Sequence, residues 1–259
     1  LGDVYKRQVR KITQKVEAPI TRAKSGFISH FVKLLMKPSP PGEVRRVYYS
    51  QERWQLLKRL REKAIRFMRK LNKYGIEGLV HGSLARGDVT KKSDIDIFIP
   101  YQIPLRIQLA LQDIGEIYKK EVVIATPWAL PKAHIYLDER TCVTFPLLEP
   151  TQTEIDFYYF GGAIDLKGLE EGKRVAGVDK RLMLIEPTPY GHLESSILGR
   201  EGEVAKKLKV GVEIVRERID VLTRRAEVGH TGLYYKRELA CSESFEQIIP
   251  EVMKKVRCR

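Results

Sequence analysis

The sequence predicts an α+β chain: one mixed sheet flanked by helices, then a mainly helical C-terminal region. Three observations predict it. A long apolar stripe of helical period runs through residues 51–73. Between 76 and 160 the period shortens to that of strands, interrupted by one helix-like stretch. Beyond residue 200 the helical period returns. Mixed runs of this kind build a sheet covered by helices.

Element by element, the N-terminal part is the least regular. Residues 1–8, Leu-Gly-Asp-Val-Tyr-Lys-Arg-Gln, read as a translation scar and are left out of fold reasoning. Residues 9–50 read as a basic arm and linker. Val9–Val16 is short and basic, Gly26–Met36 is a short helix, and Pro38, Pro40, Pro41 and Gly42 make Lys37–Gly42 a turn or linker. Ser50 is placed to cap a helix over Gln51–Lys73. Its stripe is Trp54, Leu57, Leu60, Ala64, Phe67 and Leu71, and Gly75 ends it.

Ile76–His81, Asp94–Ile99, Glu121–Thr126, His134–Leu137, Cys142–Leu147 and Glu154–Phe160 read as strands, with a helix over Pro104–Tyr118. Gly161-Gly162 closes a core domain of residues 51–162, leaving 163–259 as the C-terminal region. There, Glu201–Leu208 and Glu213–Ala226 have helix-turn-helix spacing around Gly211, and 228–237 has the composition of a wing. A winged helix that contacts nucleic acid and a helical pair packed on the core are both open. Pro250–Arg257 reads as a last helix with Pro250 at its first position.

Charge is divided along the chain. The net charge is +14 over 259 residues, yet the stretch up to Lys73 holds 20 basic and 5 acidic residues, and the remaining 186 hold 27 and 28. A protein basic all over is excluded. No run approaches the roughly 18 apolar residues of a membrane span. Cys142, Cys241 and Cys258 are too scattered for a disulfide framework or a zinc site, so a reducing cytoplasm is expected, as is the absence of a signal peptide. A single asparagine, Asn72, among abundant Lys, Arg and Glu fits a thermophile.

The chemistry sits in one string, His81-Gly-Ser-Leu-Ala-Arg-Gly-Asp-Val-Thr-Lys-Lys-Ser-Asp-Ile-Asp96. Asp94 and Asp96, two apart on a strand, point to one face, while Ile95, Ile97 and Ile99 point to the other. Carboxylates so close repel unless a cation joins them, and hard oxygen ligands suit Mg²⁺ shared with a phosphate. Gly82-Ser83, between a strand and a turn, lets backbone and hydroxyl approach phosphate oxygens, and Arg86 and Lys92 add positive charge. His81 reads as a buried strand histidine, and Trp54 and Trp128 as core aromatics.

This string resembles the nucleotidyltransferase superfamily of DNA polymerase beta type: Gly82, Ser83, Arg86, Gly87, Ser93, Asp94 and Asp96 fall in its order and spacing. Within it the motif is most similar to archaeal nucleotidyltransferases and CCA-adding enzymes, although this chain is shorter than the several domains of the latter. The resemblance covers about residues 51–162. It implies a third carboxylate on a later strand, for which Asp156 is the choice and Glu154 the alternative. It also implies two Mg²⁺ ions held by Asp94, Asp96 and Asp156, an NTP substrate such as ATP, and transfer of a nucleoside monophosphate to an acceptor hydroxyl with pyrophosphate leaving. The basic segment favours RNA, such as tRNA, as acceptor, and a solvated helix face is its plain alternative. Modification of a protein or small molecule, or a non-catalytic nucleic-acid-binding regulator, remain the other functions to weigh. No membrane partner is expected.

Overall fold

The computed structural model describes residues 43–100, 103–229, 232–240 and 242–256. The expectations for the 1–8 scar, the Gly26–Met36 helix, the proline linker, Cys241 and Cys258 lie outside these residues.

Strand β1 (Val44–Tyr48) precedes helix α1 (Gln51–Lys73). The helix begins where Ser50 accepts a hydrogen bond from the Arg53 N–H, and the chain leaves it through Gly75 at φ +65°. Its inward face is Leu57, Ala64, Met68 and Leu71, as the stripe requires, but Arg61 is buried with them. Strand β2 (Leu79–His81), the short helix α2 (Ser83–Arg86) and strand β3 (Ile95–Phe98) carry the motif. Helix α3 (Pro104–Ile114) stops at Gly115, because strand β4 (Lys119–Ile124) starts earlier than its apolar pattern indicates. Strands β5 (Lys132–Asp138) and β6 (Thr141–Pro146) form a hairpin.

The next segment departs from expectation. Glu154–Phe160 is not a strand but lies within helix α4 (Gln152–Phe160). Thr151 and Glu154 form a capping box, each side chain satisfying a backbone N–H of the first turn. That local pairing outweighs the alternation of Ile155, Phe157 and Tyr159.

Strand β7 (Ala163–Ile164), helix α5 (Leu166–Glu170) and strands β8 (Gly177–Val178), β9 (Met183–Thr188) and β10 (Gly191–Ser196) follow. Helices α6 (Glu201–Leu208) and α7 (Val212–Val228), strand β11 (Tyr235–Leu239) and helix α8 (Phe245–Lys255) complete the described chain. Pro250 lies inside α8 rather than at its start. The capping box of Ser244 and Gln247 sets that start five residues earlier than the proline signal does.

Two sheets result. The larger has the order β11-β4-β5-β6-β3-β2-β7, with β3 and β6 parallel and every other pair antiparallel. The smaller has the order β1-β10-β9-β8. The larger sheet takes β7 and β11 from beyond residue 162, so the core extends past the boundary drawn from Gly161-Gly162. The C-terminal region is correspondingly less helical than its sequence reads. The would-be wing is β11, paired with β4 from Tyr235↔Ile124 to Leu239↔Lys120.

Ile95, Ile97, Val122, Ile124, Ala133, Ile135, Val143 and Phe145 are buried in one core with Leu57, Met68, Ile107, Leu111, Ile248 and Val252 of α1, α3 and α8. Burial of this apolar face, at about 25 cal/mol per Å², holds the helices to the sheet. Alternation then forces Asp96, His134, Tyr136, Cys142 and Thr144 onto the opposite face. Among the described residues no helix is long and apolar enough to cross a membrane.

Candidate active site

Two cavities meet on that polar face. One, of about 440 Å³, is lined by Gly82, Ser83, Lys92, Asp94, Asp96, Lys180, Arg181 and Arg218 among others. The second, of about 480 Å³, is lined by Lys132, His134, Tyr136, Glu139, Arg140, Cys142 and Thr144. His81, Asp94, Asp96, Phe157, Tyr158 and Lys180 make up the remaining wall of the second, and all but Tyr158 also belong to the first. The paired carboxylates therefore stand where the two lobes join.

The first lobe is shaped by the motif. Gly82 takes φ +74° with open space where a side chain would stand, and its N–H donates to Gly162 O at 2.9 Å. An L side chain there would be strained and would enter the lobe. Ser83 Oγ is 3.1 Å from Ser93 Oγ, which accepts from the Thr90 N–H at 2.9 Å, so the two serines tie the loop to itself. Arg86 is buried: Nη1 donates to Gly161 O at 2.6 Å and Nη2 to Asp88 at 2.9 Å. Its visible work is to fasten the turn to the chain after α4. Lys92 is exposed at the rim.

Helix α1 braces this loop from behind. Arg53 Nε donates to Val89 O at 2.9 Å, and Arg61 donates to Leu84 O, Ala85 O and Lys173 O at 2.5–3.1 Å. Burial pushes the Arg61 guanidinium down to about 10. Two of the cations in the basic N-terminal stretch are thus structural. Lys58, Arg59, Arg66, Arg69, Lys70 and Lys73 of the same helix are exposed.

The second lobe was not foreseen from the sequence. Asp96 lies beside Cys142 across the parallel β3–β6 pair, Cys142 opposite Tyr136, and Thr144 opposite His134. His134 Nδ1 is 2.8 Å from Thr144 Oγ1, and the Tyr136 hydroxyl donates to Glu121 at 2.8 Å. Lys132 Nζ sits 4.8 Å from the centre of the Phe157 ring and 5.0 Å from that of Tyr158, and the Arg218 guanidinium is 5.1 Å from Phe157. Tyr158 stacks on Phe98 at 3.4 Å and meets the edge of His81 at 5.0 Å. The alternating polar positions of Lys132, His134 and Tyr136 in β5 were the available signal.

Asp156 stands apart from the pair and lines neither lobe. On helix α4 its Oδ1 accepts from Gln152 Nε2 and its Oδ2 from the Gly211 N–H, each at 2.7 Å. Gly211 is the N-cap of α7, so Asp156 satisfies a donor at the start of that helix and locks α4 to it. Glu154, the alternative, is occupied by its capping box. Helices α6 and α7 pack on α4 and the smaller sheet through Val204, Ala205, Ile214 and Val215, and α7 sends Arg218 and Leu222 into the first lobe. Of the two helices, α7 forms part of the wall of the site.

The electrostatics follow from burial. The Asp96 carboxyl is pushed up to about 6, chiefly by burial and next by the charge of Asp94, with Lys180 opposing. His81 is pushed down to about 4 by burial, Lys132 and Arg86. His134 is pushed down to about 4 by burial, which Glu121 partly offsets. Burial brings Lys132 down to about 8, with Arg218 adding to the shift, and raises the Cys142 thiol to about 12. Both histidines are therefore neutral at physiological pH, and Lys132 carries a poorly solvated charge.

These shifts bear on whether a divalent cation fits. Asp96 is hard to ionise beside Asp94, and a cation between them removes that repulsion. The pair fits one such ion shared with phosphate oxygens. The two-ion arrangement implied by the motif needs a third carboxylate, and in this structure both Asp156 oxygens are engaged by Gln152 and Gly211. Among the described residues no group of three or more His, Cys, Asp or Glu side chains is arranged to hold a metal ion.

The mixed sheet carrying two acidic residues beside a Gly-Ser turn is consistent with the nucleotidyltransferase fold. Residues 61–136 match the nucleotidyltransferase domain family. That segment, from the middle of α1 to β5, is a nucleotidyltransferase domain of the DNA polymerase beta-type superfamily, which supports nucleotidyl transfer as the general activity. The chain matches no curated protein. The family generally uses an NTP and a divalent metal.

Proposed function

We propose that the protein transfers a nucleoside monophosphate from an NTP, with ATP the first donor to test, to a hydroxyl of an RNA acceptor. The observation that carries this is the meeting of the two lobes at Asp94 and Asp96. One lobe has the turn and cations suited to a triphosphate, and the other leaves room for an acceptor on the far side of the same carboxylates.

In this reading Asp94 and Asp96 hold Mg²⁺, which when bound neutralises charge on the α-phosphate and the departing pyrophosphate. The Gly82-Ser83 turn takes the phosphate chain, with Lys92, Lys180 and Arg218 supplying countercharge. Arg86 positions the turn through Gly161 and Asp88. Catalysis is then mainly alignment of the acceptor oxygen with the α-phosphorus in a site whose dipoles are already set.

RNA as the acceptor is supported by the charge of the N-terminal stretch and by the exposed cations of α1, because phosphate contacts dominate affinity for nucleic acid. The test is incubation with NTPs labelled at the α-phosphate, Mg²⁺, total RNA and cell extract. Label on RNA upholds the proposal. Label on a protein or small molecule replaces the acceptor, and RNA binding with no label on anything points to a regulator.

A further inference from the structure

The geometry points to His134 as the group that takes the proton from the attacking acceptor hydroxyl. The inference rests on the nucleotidyl-transfer reading above and names a catalytic residue for it.

The polar face of the sheet leads to this residue. From Asp96 the row of neighbours crosses β6 at Cys142 and reaches β5 at Tyr136, and the next polar row on the same face pairs Thr144 with His134. Asp94, Asp96 and His134 line one cavity. The nearby carboxylates are otherwise engaged. Asp156 is bonded to Gln152 and Gly211, Glu154 caps α4, and Asp138 pairs with Lys63 at 2.6 Å. Glu121 accepts from Tyr136 and pairs with Lys119 at 2.5 Å and Lys236 at 3.2 Å. Among the described residues, Glu139 is the one carboxylate besides Asp94 and Asp96 that lines the lobe, from the exposed β5–β6 turn.

Of the protic groups on this face, Tyr136 is committed to Glu121 and Cys142 is a buried thiol. His134 differs. Its Nδ1 is 2.8 Å from Thr144 Oγ1 and 3.6 Å from Cys142 Sγ, and in the tautomer with the proton on Nδ1, donated to Thr144, Nε2 carries the free lone pair that a proton acceptor needs. Burial keeps the ring neutral, Glu121 opposes it, and the charges of Lys132, Lys236 and Lys119 add to the effect of burial.

The step balances without a further reactant. The acceptor O–H proton passes to His134 Nε2 as the oxygen bonds to the α-phosphorus. The bond from that phosphorus to the bridging oxygen breaks, and the electron pair leaves with pyrophosphate. The imidazolium then returns its proton to solvent.

The test compares His134→Ala, His134→Asn and His134→Asp with wild type on the acceptor found by labelling. His134→Asn retains a donor for Thr144 and covers the case in which the alanine variant fails to fold. Removing a general base typically costs about 10²–10⁴-fold in rate. A loss of that order in kcat is expected for the Ala and Asn variants, with the KM for the NTP little changed. Added imidazole should restore part of the rate to His134→Ala, and His134→Asp should outperform it. Folded Ala and Asn variants that turn over at the wild-type rate would overturn the inference. So would a loss that imidazole does not relieve, with Glu139→Gln or His81→Asn giving the larger fall in kcat. If wild type itself transfers nothing, it is the nucleotidyl-transfer reading that falls.

Discussion

The two lobes of the site are built in opposite ways. Most of the first lobe comes from one continuous string, His81 to Asp96, folded as strand, turn and strand. The second is assembled from β5, β6 and α4, with groups that are close in space and distant in sequence. A phosphate-binding turn needs backbone shape, which a local string encodes. An acceptor cleft needs side chains from several elements, so its composition can change without leaving a motif.

The largest expected effect breaks the shared wall. Asp96→Asn removes a charge next to the reacting phosphate, where a metal's contribution is several kcal/mol, so turnover should fall by about 10³-fold or more. Steady-state rates with unchanged circular dichroism would show it.

Next, Lys132→Met tests the second lobe. Its cation lies over Phe157 and Tyr158 and is desolvated. Phosphate-bearing acceptor should bind about tenfold more weakly, which titration would read. The same burial fixes a pH dependence. The folded-state pKa of Lys132 is lowered to about 8 from 10.5, so the unfolded chain holds the proton more tightly. Between those values the Lys132 contribution to stability increases with pH. A thermal-melting series should therefore show a smaller rise over that window in Lys132→Met than in wild type.

Asp156→Ala separates the elements around the site from the site itself. It removes two half-buried hydrogen bonds and takes away the partner of the Gly211 N–H, a loss of about 1–3 kcal/mol in chemical denaturation. Folded protein should keep turnover near wild type. An unchanged stability with lost turnover would return Asp156 to the chemistry. The smallest effect belongs to Arg45→Ala on β1. It removes an ion pair to Glu194 from a side chain that is 54% exposed, while Arg181 still holds Glu194 at 2.7 Å, so about 1 kcal/mol or less is expected.

Legibility followed the same division. Helix α1 was readable because cap, stripe and terminating glycine agree, and β3 because its isoleucines alternate with the acidic pair. Helix α4 was misread: Ile155, Phe157 and Tyr159 suit a strand, and the Thr151–Glu154 box outweighed them. The β9–β10 hairpin was hidden by Pro187 and Pro189. Pro187 is tolerated because β8 pairs with β9 only at Leu184 and Ile185, leaving that edge free. Strand β11 read as a wing because a strand's partner is not written in its own residues. His134 was visible as a polar position in an alternating strand, but only the fold shows that it shares a cavity with the acidic pair.

The most direct measurement is transfer from NTP carrying α- or γ-phosphate label, for wild type and for Asp94→Ala/Asp96→Ala. The account predicts α-label on the acceptor, γ-label in released pyrophosphate, and neither product from the folded double variant. Undiminished transfer by the double variant, or γ-label on the acceptor, would contradict it.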